Sequence, residues 1–163
     1  MSITFNADEI FEMAEEIERN GAKFYRTAAK YAVDKKIKQL LLDLAAMEDG
    51  HLSTFQDMRK QLSPREKEQF VFDPDNQAAM YLKVVADGHG AEGKKSLTEH
   101  LTGREKIEDV LDSAINAEKN SVVFYVGLQD CVPARAGKDK VQASIREELG
   151  HIAALNLQLA DLK

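Results

Sequence analysis

The sequence contains little cysteine, few prolines and no long hydrophobic run. Because Cys131 is the single cysteine among 163 residues, an internal disulfide is excluded. No window approaches the roughly 20 unbroken apolar residues that a membrane-spanning helix needs, so no membrane association is expected. The N-terminus has neither the basic region nor the long apolar region of a secretory signal, and a cytoplasmic location is therefore the expectation.

Basic residues are also in the minority, with 22 Lys and Arg against 28 Asp and Glu, a net charge of −6 at pH 7. No basic stripe interleaved with aromatic residues is present, which argues against nucleic acid as a partner. A hydrophobic content of 44% in 163 residues suffices for one sizeable core. The sequence therefore predicts a single domain over residues 1–163.

The few breaks in the helical pattern divide the chain into four long segments. Helices are predicted from about Asn6 to Val33 and from Asp34 to Gln61, a third after a capping box at 102–105, and a fourth ending within two turns of Lys163. Between Leu62 and Gly103 the pattern is less regular, with a short helix predicted over 73–88. That stretch is long enough to cross a bundle from end to end. We therefore predict an all-α, antiparallel four-helix bundle with a long crossover between helices two and three.

A Glu-x-x-His at residues 48–51 lies where the second helix should place core residues. The stripe at heptad spacing reads Ile37, Leu41, Leu44, Glu48, His51, Phe55 and Met58. Residues three apart on a helix reach one common point, and burying a carboxylate beside an imidazole is costly unless something pairs with them. A metal ion is the expected partner.

The arrangement recurs 100 residues later. Residues 148–151 form a second Glu-x-x-His, again on an apolar stripe, and Glu18 followed by Tyr25 is repeated as Glu118 followed by Tyr125. The other two histidines, His89 and His100, have no Glu three residues earlier and are not interpreted as ligands. Packing the two helix pairs about an approximate two-fold axis should bring one set of residues to one level: Glu18, Glu48, His51, Glu118, Glu148 and His151.

Four carboxylates and two imidazoles are the ligand types of a dinuclear carboxylate site in a helical bundle. Two divalent ions would neutralise the four carboxylates, whereas the empty site crowds like charges, which are expected to take up protons with raised pKa values. Oxygen-rich sites with two imidazoles suit iron or manganese; zinc is the non-redox alternative. Apart from a redox metal site, the polar set could instead only fix helix register or bind a structural metal.

These motifs resemble those of the ferritin-like superfamily, and within it the rubrerythrin-like di-iron proteins. The resemblance covers both helix pairs and not the crossover. It implies that Glu48 and Glu148 bridge two metals, that the lone glutamates are terminal ligands, and that each histidine binds one metal. It also implies that Tyr25 and Tyr125 donate hydrogen bonds to ligand carboxylates. An aromatic core pair is the alternative for the tyrosines.

Two features depart from rubrerythrins. A rubredoxin-type iron domain needs several cysteines, so electrons should come from an external donor such as a rubredoxin-like protein. Rubrerythrins also carry a further Glu beside the ligand of the third helix. No Glu lies one turn either side of Glu118 here, where the residues are Ala114, Ile115, Ser121 and Val122.

Two functions are therefore weighed, beside the structural role. The first is a di-iron oxidoreductase, peroxidase-like, that reduces peroxide or dioxygen and is expected to be a homodimer. The second is oxidation and handling of ferrous iron, as in bacterioferritin-like proteins. The second is disfavoured because those proteins combine a shorter crossover with a terminal short helix that helps to form a hollow shell.

Overall fold

The computed structural model describes residues 6–68, 97–132 and 134–162. Four long helices lie within these ranges, with one short helix after the second of them. They are α1 (Ala7–Tyr31), α2 (Lys35–Lys60), the short α3 (Pro64–Glu68), α4 (Ile107–Cys131) and α5 (Lys138–Asp161). Turns of 3₁₀ helix, Leu97–His100 and Ala134–Ala136, precede α4 and α5.

Side-chain caps explain where the first two helices begin. The Asn6 side chain accepts a hydrogen bond from the Glu9 amide at 2.9 Å, and the Glu9 carboxylate accepts one from the Asn6 amide at 2.8 Å. Asp34 caps α2 by accepting from the Ile37 amide at 2.9 Å. Each cap satisfies amides that have no partner within the helix, so the predicted starts of these two helices are confirmed.

The third long helix begins at Ile107, the first residue of its predicted stripe, but the predicted capping box at 102–105 does not cap it. Thr102 and Glu105 do interact, since the Thr102 amide and hydroxyl donate to the Glu105 carboxylate at 2.9 and 2.6 Å. However, Gly103 lies in the left-handed region at φ +81°, and α4 begins only at Ile107. The Thr-x-x-Glu pair therefore closes a turn ahead of the helix, and Lys106 occupies the N-cap without a side-chain hydrogen bond.

Contacts at the helix ends establish the topology. Arg59, near the end of α2, donates to Asp8 at the start of α1 at 2.9 and 2.8 Å, so these helices are antiparallel. Gly103 lies against Tyr31 at the opposite end of α1, so close that a Cβ at this position would be 2.7 Å from the Tyr31 ring. Gln61 and Gly103 therefore lie at opposite ends of the bundle, and the antiparallel four-helix bundle with a long crossover is confirmed. The predicted short helix over 73–88 and His89 lie outside the described residues.

The core consists of two apolar clusters separated by a polar layer. One cluster joins Ile10, Phe11, Phe55, Met58, Leu128 and Val141 near the start of α1. The other joins Phe24, Ala28, Leu41, Leu44, Leu111 and Leu155 near its end. The buried glutamates and histidines lie between them along the helices. No helix in the described part of the chain is long and apolar enough to span a membrane.

Candidate metal centre

The structure brings all six sequence-predicted ligand residues together in the polar layer. α1 and α4 each contribute one glutamate, and α2 and α5 each contribute a glutamate and a histidine one turn apart. None of the six is more than 4% exposed: Glu18, Glu48, His51, Glu118, Glu148 and His151. Ionised groups this deeply buried require partners, because desolvation of an unpaired charge is very costly.

The layer is polar because the heptad spacing of each helix places these residues on the same stripe as its core residues. A glycine of α1 faces one of these residues on α2. A Cβ at Gly21 would lie 3.4 Å from the Glu48 Cγ and 3.6 Å from its Cδ. The equivalent residue on α4 is Ser121, whose hydroxyl instead donates to the Ala117 carbonyl at 3.2 Å. Gly21 therefore lies against the Glu48 side chain, at a distance where an added Cβ would make ordinary van der Waals contact.

Two carboxylates lie between the two imidazoles. Glu48 Oε2 is 3.5 Å from His51 Nδ1, and Glu48 Oε1 is 3.3 Å from His151 Nδ1. Glu148 repeats the arrangement, with Oε1 at 3.1 Å from His51 Nδ1 and Oε2 at 2.8 Å from His151 Nδ1. Each of these carboxylates thus directs one oxygen to each half of the centre, as a bridging ligand does.

The remaining two carboxylates each lie close to one imidazole only. Glu18 Oε2 is 3.6 Å from His51 Nδ1, and Glu118 Oε1 is 3.5 Å from His151 Nδ1. Donor atoms within 4.8 Å of one another form two groups, one of Glu18, Glu48, His51 and Glu148, the other of Glu48, Glu118, Glu148 and His151. The groups share Glu48 and Glu148. The imidazole planes are 24° apart, with ring centroids separated by 5.7 Å.

The chemistry of these donors fits metal ions. Six buried side-chain atoms of the cluster have no hydrogen-bond partner among the described residues: Glu48 Oε1, His51 Nδ1, both carboxylate oxygens of Glu148, and both ring nitrogens of His151. Buried polar atoms are normally hydrogen-bonded. Because five of the six face the centre within contact distance but outside hydrogen-bonding geometry, the donor set fits two cations better than it fits a hydrogen-bond network.

Comparison with solved structures gives the same architecture. A 2.30 Å crystal structure of a Thermotoga maritima protein, assigned as a ferritin-like diiron-carboxylate protein, matches with a TM-score of 0.77 over 100% of both chains. The fold is ferritin-like. At 23% identity the likeness establishes the fold alone. No protein-family model and no curated protein matches the sequence.

Two tyrosines connect the halves of the ferritin-like bundle. The Tyr25 hydroxyl donates to Glu118, and the Tyr125 hydroxyl donates to Glu18. Each hydrogen bond therefore joins the first helix pair to the second, and the two bonds are related by the approximate two-fold axis. Burial, followed by the charge of the facing carboxylate, raises the pKa of both phenols well above the usual value. Both tyrosines consequently remain protonated donors at neutral pH.

Burial raises the pKa of Glu18 and Glu118 well above the usual carboxyl value, and the charge of Glu48 adds to the effect. Raised pKa values were the expectation for every carboxylate of the empty site. That expectation is wrong for Glu48 and Glu148, whose pKa values are lowered. Burial opposes their ionisation, but the close approach of the two imidazoles and of the outer glutamates outweighs it.

The pKa values of the two histidines are raised. Burial alone lowers the pKa of an imidazole, but the surrounding carboxylates outweigh it, so the pKa of His51 is strongly raised and that of His151 rises to about 12. Without metal, these directions favour two imidazolium ions, two carboxylates and two neutral carboxylic acids in the centre. This set has no net charge.

A seventh residue, not identified from the sequence, contacts the centre of the ferritin-like bundle. Glu147 Oε2 lies 2.9 Å from His51 Nε2, on the side of the ring away from the carboxylates. The side chain is 52% exposed, which is why it resembles an ordinary surface acid in the sequence. Its position immediately before the second Glu-x-x-His, where the first motif has Met47, is the signal that could have revealed it.

Proposed function

We propose that the protein is a non-haem di-iron oxidoreductase that reduces peroxide or dioxygen with electrons from an external donor. The observation that supports this most directly is the placement of Glu48 and Glu148, each with one oxygen toward each imidazole. These shared carboxylates would hold two metal ions, and a metal pair would supply chemistry on one oxygen species. The oxygen-rich donor set with two imidazoles suits iron, with manganese or a mixed pair as the chemical alternatives.

The outer glutamates, the tyrosines and the apolar clusters would each have a distinct role at the centre. Glu18 and Glu118 would complete the two ligand sets, with their orientation fixed by the tyrosine hydroxyls. The apolar clusters on either side limit access of water to the polar layer. When bound, two ferrous ions would supply two electrons, which with two protons reduce one hydrogen peroxide to two water molecules.

Sustained turnover would require a partner. Each cycle consumes two electrons, and the sequence has a single cysteine where a rubredoxin-type iron requires several. A small electron-transfer protein of the rubredoxin kind is therefore the proposed donor. We also propose that the protein functions as a homodimer in the cytoplasm, in contrast to the many-subunit shell expected of an iron-storage protein.

The test is a rapid-mixing experiment on anaerobically iron-loaded protein. After reduction, mixing with hydrogen peroxide should give one fast oxidation per centre, and steady peroxide consumption should follow only when a rubredoxin-like donor and its reductase are present. The control is Glu48→Gln, which removes a shared carboxylate and should abolish the fast phase. If the reduced protein ignores peroxide but repeatedly oxidises added ferrous iron with dioxygen and retains the product, the iron-handling function is correct instead.

A further inference from the structure

The two halves of the centre are not equivalent on their outer side. His51 and His151 both direct Nδ1 inward, but only His51 has a partner for Nε2 among the described residues, the Glu147 carboxylate at 2.9 Å. Nε2 of His151 is buried and has no hydrogen-bond partner in the described part of the chain. The residue 100 positions before Glu147 is Met47, whose side chain cannot serve as the corresponding strong acceptor.

A carboxylate on the outer nitrogen of a ligating histidine has two physical effects. It fixes the tautomer, because an acceptor at Nε2 requires the proton there and leaves the Nδ1 lone pair for a metal. It also limits rotation of the ring and increases the basicity of the inner nitrogen. Loss of such outer partners typically weakens metal binding about 10- to 100-fold.

We propose that Glu147 is a positioning residue for His51 and that it makes the metal position served by His51 the tighter of the two. This inference rests on the proposed two-metal function. The His151 position, which has no equivalent acceptor among residues 6–68, 97–132 and 134–162, binds the more weakly held ion, which is lost first on chelation. The chain thus combines a nearly symmetric set of ligands with an asymmetric outer support.

The experiment measures binding of Co²⁺ alone, anaerobically, from its visible absorption. Histidine variants isolate the two positions: His151→Ala retains the His51 position, and His51→Ala retains the His151 position. Glu147→Gln, which preserves size but removes the charge, is then introduced into each background. Asp112→Asn, which removes one negative charge from an exposed position on α4, is the matched control. Helical circular dichroism verifies that every variant is folded.

The expected result is selective. Glu147→Gln should raise the Kd of the His51 position about 10-fold or more and change the Co²⁺ spectrum, while the Kd of the His151 position changes less than about twofold. Equal weakening in both backgrounds would mean that Glu147 contributes only negative charge and would overturn the proposal. No weakening in either background would overturn it as well.

A converse variant tests the asymmetry itself. Met47→Glu supplies the missing acidic side chain at the symmetry-related position and should tighten the weaker Co²⁺ step in the otherwise unchanged protein. An unaltered second step would refute the claim that the missing acceptor sets the two positions apart. A wild-type protein that binds one Co²⁺ or none contradicts the two-metal function, whereas two bound ions with no dependence on Glu147 contradict only this inference.

Discussion

Loading the centre with two divalent ions should release about four protons per chain. In the metal-free protein, raised pKa values retain protons on two carboxyl groups, Glu18 and Glu118, and on both imidazoles, His51 and His151. Metal ligands bind as carboxylates and neutral imidazoles, so each of these four groups must lose its proton. The two ions replace protons one charge for another, and the centre stays neutral.

The sign and size of the pH dependence of metal binding follow from this exchange of protons for metal ions. About two protons released per ion means that the Kd of each ion falls about 100-fold for every unit of pH increase, as long as the pH stays below the raised pKa values. Binding therefore tightens as the pH rises. Carboxylates that were already ionised in the empty site would give a much flatter dependence.

The assay is a titration with Zn²⁺ in weakly buffered solution at pH 7, with the released acid measured by back-titration. Zinc is suitable because it has no redox chemistry to consume or release further protons. Glu18→Gln, which removes one protonated carboxyl group, is the control and should lower the yield by about one proton. Release of fewer than about two protons per two ions bound would refute the assigned protonation states.

Chelation should lower the melting temperature more at pH 8 than at pH 5. Because of the raised pKa values, the folded metal-free protein binds more protons than the unfolded chain, so its stability falls as the pH rises through this range. A metal-free melting temperature that is the same at both pH values would contradict the clustering of the acids. Glu48→Gln should impair both metal positions and His51→Ala mainly one, as elemental analysis after iron loading would show; equal partial losses would contradict bridging. Tyr25→Phe should destabilise the protein by about 1–3 kcal/mol in urea unfolding, because the buried Glu118 carboxyl loses its donor; a change below about 0.5 kcal/mol would mean the bond contributes little.

Much of the centre could be predicted from one regularity, the spacing of the core residues. Glu18, Glu48 and His51 occupy heptad positions between apolar residues, and the repeat at 100 residues duplicates them. Periodicity depends on local helix geometry, so it identifies the inward face of each helix without knowledge of its neighbours. The caps at Asn6 and Asp34 were predictable for the same reason. The predicted cap at Thr102 is wrong, because a Thr-x-x-Glu pair is compatible with a turn as well as with a helix start.

What only the tertiary structure decided are the contacts between helices. It pairs Tyr25 with Glu118 and Tyr125 with Glu18, across the helix pairs, and it places the exposed Glu147 on the outer nitrogen of His51. It also lowers the pKa values of Glu48 and Glu148 and raises those of Glu18 and Glu118, although all four side chains are equally buried. The sequence by itself determined which residues face inward, because that depends on helix periodicity. Hydrogen-bond partners and pKa values depend on the distances between atoms of different helices, which only packing of the bundle sets.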